Sequence, residues 1–229
     1  MVKKYNAELA SVTQHVNGVY TLEFKPLSGK FRYYPGQFLH LALDEYDPAA
    51  AWPESRCFSM QSSPEESLLR ITYAVKGKFT QSMEKKMVPG SKIWLKLPFG
   101  DLFSQDHSKE DTVFIAGGTG VTPYLSLFNN PLFASYKNPH LYIGFRDKAH
   151  HLYENEFQAA LKVNPSLTIT VFYQDITGII DINSILENHK DSGHTSFFIS
   201  GPPVMIRNFK NFFLENGISG QNIKTDDWE

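Results

Sequence analysis

Thr112-Val113-Phe114-Ile115-Ala116-Gly117-Gly118-Thr119-Gly120-Val121-Thr122-Pro123 decides how this chain is read. An apolar run of strand character passes straight into three glycines, and a threonine–proline pair then opens a helical stretch. Each part has a physical reason. Glycine lets the backbone approach a bulky anion closely, Thr122 can cap a helix, and Pro123 suits the first helical position, where its missing N–H removes no bond. Exposed amides at such a helix start can hold pyrophosphate. The pattern equally suits a glycine-rich turn that binds nothing. It also departs from the full G-x-G-x-x-G fingerprint, because Pro123 stands at the third glycine position.

Working outward, the segment beyond Asp111 alternates apolar strands with helical stretches, which predicts a parallel sheet covered by helices. Strands are expected from Thr112 to Ala116, Leu141 to Phe145, Leu167 to Phe172, Thr195 to Ser200 and near Ile223. Helices are expected from Pro123 to Phe128, Tyr153 to Lys162, Ile182 to Asn188 and Val204 to Asn216, the last stopped by Gly217. Before Phe103 the period is different. Short alternating runs such as Phe38 to Leu43 and Leu69 to Tyr73 are punctuated by Pro26 to Gly29, Pro35-Gly36, Pro53 and Pro64, which fits a small antiparallel barrel. One helix is expected there, from Phe79 to Met87, ending before Pro89-Gly90. The predicted architecture is therefore two-domain, with a six-stranded antiparallel β-barrel over residues 1–103 and an α/β parallel-sheet domain over 111–229.

Composition narrows the function classes. The 229 residues are 41% hydrophobic and 20% charged with a formal net charge of -2, an ordinary globular balance with no general attraction to nucleic acid. Met1 to Tyr5 is followed by Asn6, Glu8 and Gln14 rather than an apolar stretch, so neither a signal peptide nor membrane insertion is expected, and a cytoplasmic monomer or weak dimer is the default. A single cysteine, Cys57, excludes intrachain disulfides and a four-cysteine iron–sulfur cluster. No metal site is expected, because the adjacent His150 and His151 point apart on any regular element.

Three further segments could touch a ligand. Ser200-Gly201-Pro202-Pro203 is a second anion-compatible turn between a buried strand and a helix. Together with the first turn it could hold opposite ends of one dinucleotide, or it could be a plain helix start. Arg56-Cys57-Phe58-Ser59 lies on a strand, with Arg56 and Phe58 on one face and Cys57 and Ser59 on the other. Lys76-Gly77-Lys78-Phe79-Thr80 is either a basic turn before a helix or a phosphate cradle.

Taken in order, Arg-x-Phe-Ser, Val-Lys with a downstream Thr, Pro-Phe-Gly, Gly-Gly-Thr-Gly-Val-Thr-Pro and Gly-Pro-Pro resemble the ferredoxin–NADP reductase family, from Tyr34-Pro35-Gly36-Gln37 to Trp228. The resemblance implies an FAD-binding barrel followed by a nicotinamide-dinucleotide domain. It implies that Arg56 meets the FAD pyrophosphate, Phe58 packs on the flavin with Cys57 beside it, and Ser59 sits near flavin N5. Tyr73, Ala74, Val75 and Lys76 would border the ribityl and phosphate region, and Phe79 and Thr80 would complete the cradle. Gly118, Thr119 and Gly120, with Arg146 nearby, would receive the dinucleotide, and Ser200, Gly201 and Pro202 would border nicotinamide. Ser59, Ser200 and Trp228 are the implied catalytic group, Trp228 covering the flavin or, alternatively, only anchoring the last strand.

The implied activity is NAD(P)H oxidation through FAD, with electrons passed to an acceptor protein such as a ferredoxin, flavodoxin or oxygenase component, or to a small acceptor. Two alternatives are a reductase that uses flavin as a diffusing substrate and a non-catalytic regulatory or docking module. Three departures from the family pattern bear on this choice. Ser200 stands where cysteine is common. Tyr173-Gln174-Asp175 places an acid where a 2′-phosphate partner is usual, which tilts the expectation to NADH, although Arg146, Lys148, His150 and His151 could form a substitute phosphate site. The segment after Lys78 is short for gripping adenosine.

Overall fold

The computed structural model describes residues 1–16, 18–189 and 194–226. Six strands form the first sheet: β1 (Lys3–Gln14), β2 (Val19–Pro26), β3 (Phe38–Ala42), β4 (Ser55–Ser59), β5 (Leu69–Ala74) and β6 (Lys92–Phe99). They are antiparallel in the order β4-β3-β6-β1-β2-β5. The sheet curls until its two edge strands meet, with the Phe58 ring edge-on to Tyr73 at 6.0 Å, but no ladder joins β4 to β5. An almost closed barrel with one open seam results. Its interior is filled by Leu9, Leu22, Phe24, Leu39, Leu41, Ile71 and Leu95, all buried. Helix α1 (Lys78–Lys86), which begins one residue earlier than expected, plugs the barrel with Met83.

The second sheet is parallel. It comprises β7 (Thr112–Gly117), β8 (His140–Phe145), β9 (Thr168–Tyr173), β10 (Ser196–Ser200) and the short β11 (Ile223–Thr225), ordered β11-β10-β7-β8-β9. Helices α2 (Thr122–Phe128) and α3 (Glu154–Val163) cover one face, and α4 (Ile182–His189) and α5 (Pro203–Glu215) the other. Burial on both faces explains the uninterrupted apolar run of β7, whose Val113 to Ala116 are fully enclosed. Helix ends agree with the sequence expectation to within one residue, and Gly217 closes α5 with a positive φ of 86°. The chain runs outward from β7 to β9 and then returns to the other side of β7. The order therefore reverses between β7 and β10, and the crevice beyond their carboxyl ends is where an open parallel sheet binds ligands.

Two expectations about local structure fail. Thr122 does not cap α2: a single 3-10 turn over Gly118–Val121 intervenes, and the Thr122 hydroxyl donates back to the Thr119 carbonyl at 3.0 Å. The two glycine turns are not spaced apart either. β7 and β10 are neighbours, so the turns that leave them lie against each other.

The loop that follows β4 docks on the sheet half. Ser126 of α2 donates to the Ser62 carbonyl at 2.7 Å, Asn130 donates to Ser63 Oγ at 3.1 Å, and Gln61 reaches Glu156 of α3 at 3.3 Å. Ser62, Ser63, Ser126 and Asn130 are all buried, so these bonds have little competition from water. Since the loop starts one residue after Ser59, this docking sets where Ser59 stands relative to the β7 turn.

Candidate functional site

One large crevice, about 1440 Å³, runs from the open β4–β5 edge of the barrel to the carboxyl ends of β7 and β10. Its size exceeds the 300–1,000 Å³ of an ordinary single-ligand pocket, roughly as two stacked ligands would need. Almost every residue singled out from sequence lines it: Arg56, Cys57, Phe58 and Ser59 from β4, Tyr73 to Lys76 with Phe79 and Thr80 from β5 and α1, and Gly118, Thr119, Gly120, Arg146, Ser200, Gly201 and Pro202 from the sheet. Trp228 lies outside the described residues.

The barrel wall is made of side chains. Phe58 is half-buried against Tyr73, whose phenol burial holds well above its ordinary range. Cys57 sits 3.5 Å from His40 Nε2, where burial and then Lys96 depress imidazole protonation. Arg56 lies over the Phe79 ring, 5.2 Å from its centroid. The Thr80 hydroxyl is fully used within its own turn, accepting from the Lys76 and Gly77 amides and donating to the Gly77 carbonyl. It is therefore a brace for the turn, and the amides at the start of α1 are what that segment can offer an anion.

At the two glycine turns the sheet wall is backbone. A Cβ on Gly120 would stand 2.5 Å from Gly201 Cα and 2.6 Å from its nitrogen, so the two turns touch main chain to main chain. Gly118 differs: its φ of 54° favours glycine, and the space beyond it is open. Close packing explains one glycine and an accessible turn the other.

Asp226, just past β11, joins the two walls. Its Oδ2 accepts from Ser200 Oγ at 3.1 Å and from Ser59 Oγ at 3.4 Å. Its backbone N–H is tied to Ile199, next to Ser200, at 3.0 Å. This acid was not among the sequence candidates. The Asp226-Asp227-Trp228 ending was the available signal, but nothing in the sequence shows that it returns to Ser59. Arg146 and His150 also line the crevice, whereas His151 turns away to stack on Phe145 at 4.7 Å. His150 bonds Asp147 at 2.8 Å, which keeps that carboxyl below its usual range. Among the described residues, no group of three or more His, Cys, Asp or Glu side chains could hold a metal ion.

Residues 114–211 match the family model of the oxidoreductase NAD-binding domain. One component of the Na(+)-translocating NADH-quinone reductase of Neisseria gonorrhoeae is 28% identical over 202 residues, 77% of this chain and 49% of that protein. The chain shares the two-domain fold of ferredoxin–NADP reductase-type proteins. The chain carries the NAD-binding match from β7 into α5, so its parallel sheet corresponds to that domain. It spans about half the length of the curated relatives it matches; the corresponding component from Yersinia enterocolitica is 26% identical over 85% of this chain and 54% of that one. The fold recurs in a cytochrome P450 reductase of Amycolatopsis, with a TM-score of 0.83 and 17% identity over 99% of this chain and 70% of that one. It also recurs in a ferredoxin NADP+ reductase of Neisseria gonorrhoeae with bound FAD and NADP, with a TM-score of 0.77 and 18% identity over 98% of each chain. Among the described residues no helix is long and apolar enough to cross a membrane.

Proposed function

We propose that the chain is a flavoprotein reductase. In this reading residues 1–103 hold FAD along the β4–β5 seam and residues 111–229 receive NAD(P)H against the glycine turns. Electrons then leave to a separate acceptor, such as a ferredoxin, a flavodoxin or an oxygenase component. The single observation that carries the reading is the meeting of Ser59 and Ser200 on one Asp226 oxygen, because it brings the flavin edge of the barrel and the dinucleotide edge of the sheet to one point.

The residues fit a flavin. The seam presents two strand edges with no ladder between them, which suits a flat heterocycle rich in hydrogen-bonding atoms. Phe58 and Tyr73 supply an aromatic wall, and Arg56, Lys76 and the α1 amides face the same crevice as phosphate partners. Bound FAD would supply the hydride-accepting N5 that no side chain offers. The chain's own part is placement: the walls hold both rings together and exclude water, the main source of rate in such a transfer. Ser59, donating to Asp226, keeps its lone pairs directed at the crevice to receive a proton-bearing nitrogen. Ser200 does the same from the nicotinamide side and cannot supply the thiol usual in the family.

NADH is the expected donor, since Asp175 stands two residues after β9 and would repel a 2′-phosphate. A second reading, flavin as an exchanging substrate, is favoured by the engaged Thr80 hydroxyl and by Arg56 being already paired with Glu54 at 3.0 Å. Purified protein distinguishes them. One FAD per chain, bleached anaerobically by NADH before NADPH, supports the first reading. Colourless protein that turns over added flavin supports the second. No bleaching and no turnover with any flavin contradicts both.

A further inference from the structure

Arg56 reaches the crevice with a partner already in its fork. Glu54 stands two residues earlier, and strand alternation puts the two side chains on one side of the chain. Glu54 Oε1 lies 3.0 Å from Arg56 Nη2, while Nη1 donates to the Ser55 carbonyl at 2.9 Å. Both side chains are largely exposed, and both line the crevice beside Lys76 and Lys78. A carboxylate and a phosphate compete for a guanidinium through the same two-point geometry. An anion arriving at Arg56 therefore has to displace Glu54 or share the cation with it, and in either case it meets the carboxylate's repulsion.

We propose that Glu54 is a specificity-determining residue that lowers the site's affinity for flavin phosphates by holding Arg56 in a competing ion pair. The inference rests on the reading of this crevice as a flavin site and deepens it. Glu54 sets how much a phosphate contributes to flavin binding, leaving the isoalloxazine contacts of Phe58 and Ser59 untouched. Phosphate contacts thereby add less to flavin affinity while the ring site remains intact. Lys86 and Asp44, 3.9 Å apart on the same crevice, repeat the pairing of a cation with an acid.

The magnitude follows from the exposure of the pair. A solvent-exposed ion pair alters an equilibrium constant by up to roughly fivefold, and removing a like charge next to a phosphate adds a similar small factor. Glu54→Gln is expected to tighten FMN and FAD by about three- to tenfold at low ionic strength, an advantage that added salt erodes. Riboflavin, which has no phosphate, should bind both proteins within about twofold, the size of a negligible surface effect.

The experiment is a fluorescence-quenching titration of riboflavin, FMN and FAD into the whole chain as wild type, Glu54→Gln, Arg56→Gln and the double variant. The expected result is a gain confined to FMN and FAD and greatly reduced in the Arg56→Gln background, the coupling that defines action through Arg56. Unchanged FMN and FAD affinities would overturn the proposal. So would an equal gain for riboflavin, or a gain that persists in full without Arg56. If none of the three flavins binds the wild type, the flavin reading itself fails and this inference with it; riboflavin binding with no effect of Glu54 sinks the inference alone.

Discussion

The two walls of the crevice are built from different material. On the barrel side the groups that face the ligand are side chains on β4, β5 and α1, and each can be altered while the strand beneath it stays in place. On the sheet side the surface at the two turns is main chain, because the turns after β7 and β10 pack glycine against glycine. Substitution should therefore grade the function of one wall and break the other.

Gly120→Ala should show the largest effect. Its Cβ would sit 2.5 Å from Gly201 Cα, and backbone on both sides cannot swing away, so a loss of about 3 kcal/mol or more of stability is expected together with NADH binding. Gly118→Ala meets open space and should lose only about 1–2 kcal/mol, through its left-handed φ. Denaturant unfolding and NADH titration of both variants check this. Similar small losses in the two would mean that the turns are not in rigid contact.

Next in size is the docked loop after β4, which holds the walls in register. Asn130→Ala removes a buried donor to Ser63 and the acceptor for the Leu132 amide, which should cost about 2–3 kcal/mol. The same variant should slow flavin reduction by loosening the loop behind Ser59. A stability loss with an unaltered reduction rate would separate the docked loop from the site.

Ser59→Ala tests the graded wall. It should retain FAD and slow reduction roughly tenfold or more, the effect of one lost active-site hydrogen bond. Stopped-flow absorbance gives the rate, and an unchanged value would remove Ser59 from the mechanism.

The smallest expected effect concerns acid. Burial is the first cause of lowered imidazole pKa values at His140, His151 and His189 in the sheet half and at His107 in the segment leading into it, but only at His15 and His40 in the barrel. His140, half-buried and beside His189, is brought down to about 4. The unfolded chain takes up these protons near pH 6.5 while the folded chain resists them. Stability is thus complete above about pH 6.5 and declines as pH falls toward 4. His140 alone should account for about 1 kcal/mol, allowing for its partial exposure. Amide hydrogen exchange at pH 7 and pH 5 should show the sheet half opening first; earlier opening of the barrel would refute the assignment.

The sheet half was legible in sequence because burial on both faces leaves solid apolar strands, and Pro and Gly mark the ends of the helices between them. The change of period near Phe103 separated the halves for the same reason. Contacts between distant segments were not legible. β1 pairs with both β2 and β6, and the meeting of β4 with β5 depends on how far the sheet curls, which no local pattern encodes. Motif residues reached the crevice because each motif carries its own turn or strand. Asp226 was missed because its role exists only through its contacts with Ser200 and Ser59, 26 and 167 positions away. The capping role assigned to Thr122 failed because a 3-10 turn intervened, a choice of under one helical turn that residue type does not determine.

The most direct test of the account is anaerobic stopped-flow mixing of FAD-loaded protein with NADH carrying hydrogen or deuterium at the transferred C4 position. Stacked rings in the shared crevice predict a long-wavelength charge-transfer absorbance that precedes bleaching, and bleaching that is severalfold slower with deuterium. Bound FAD and bound NADH that give neither the band nor any isotope-sensitive bleaching would contradict it.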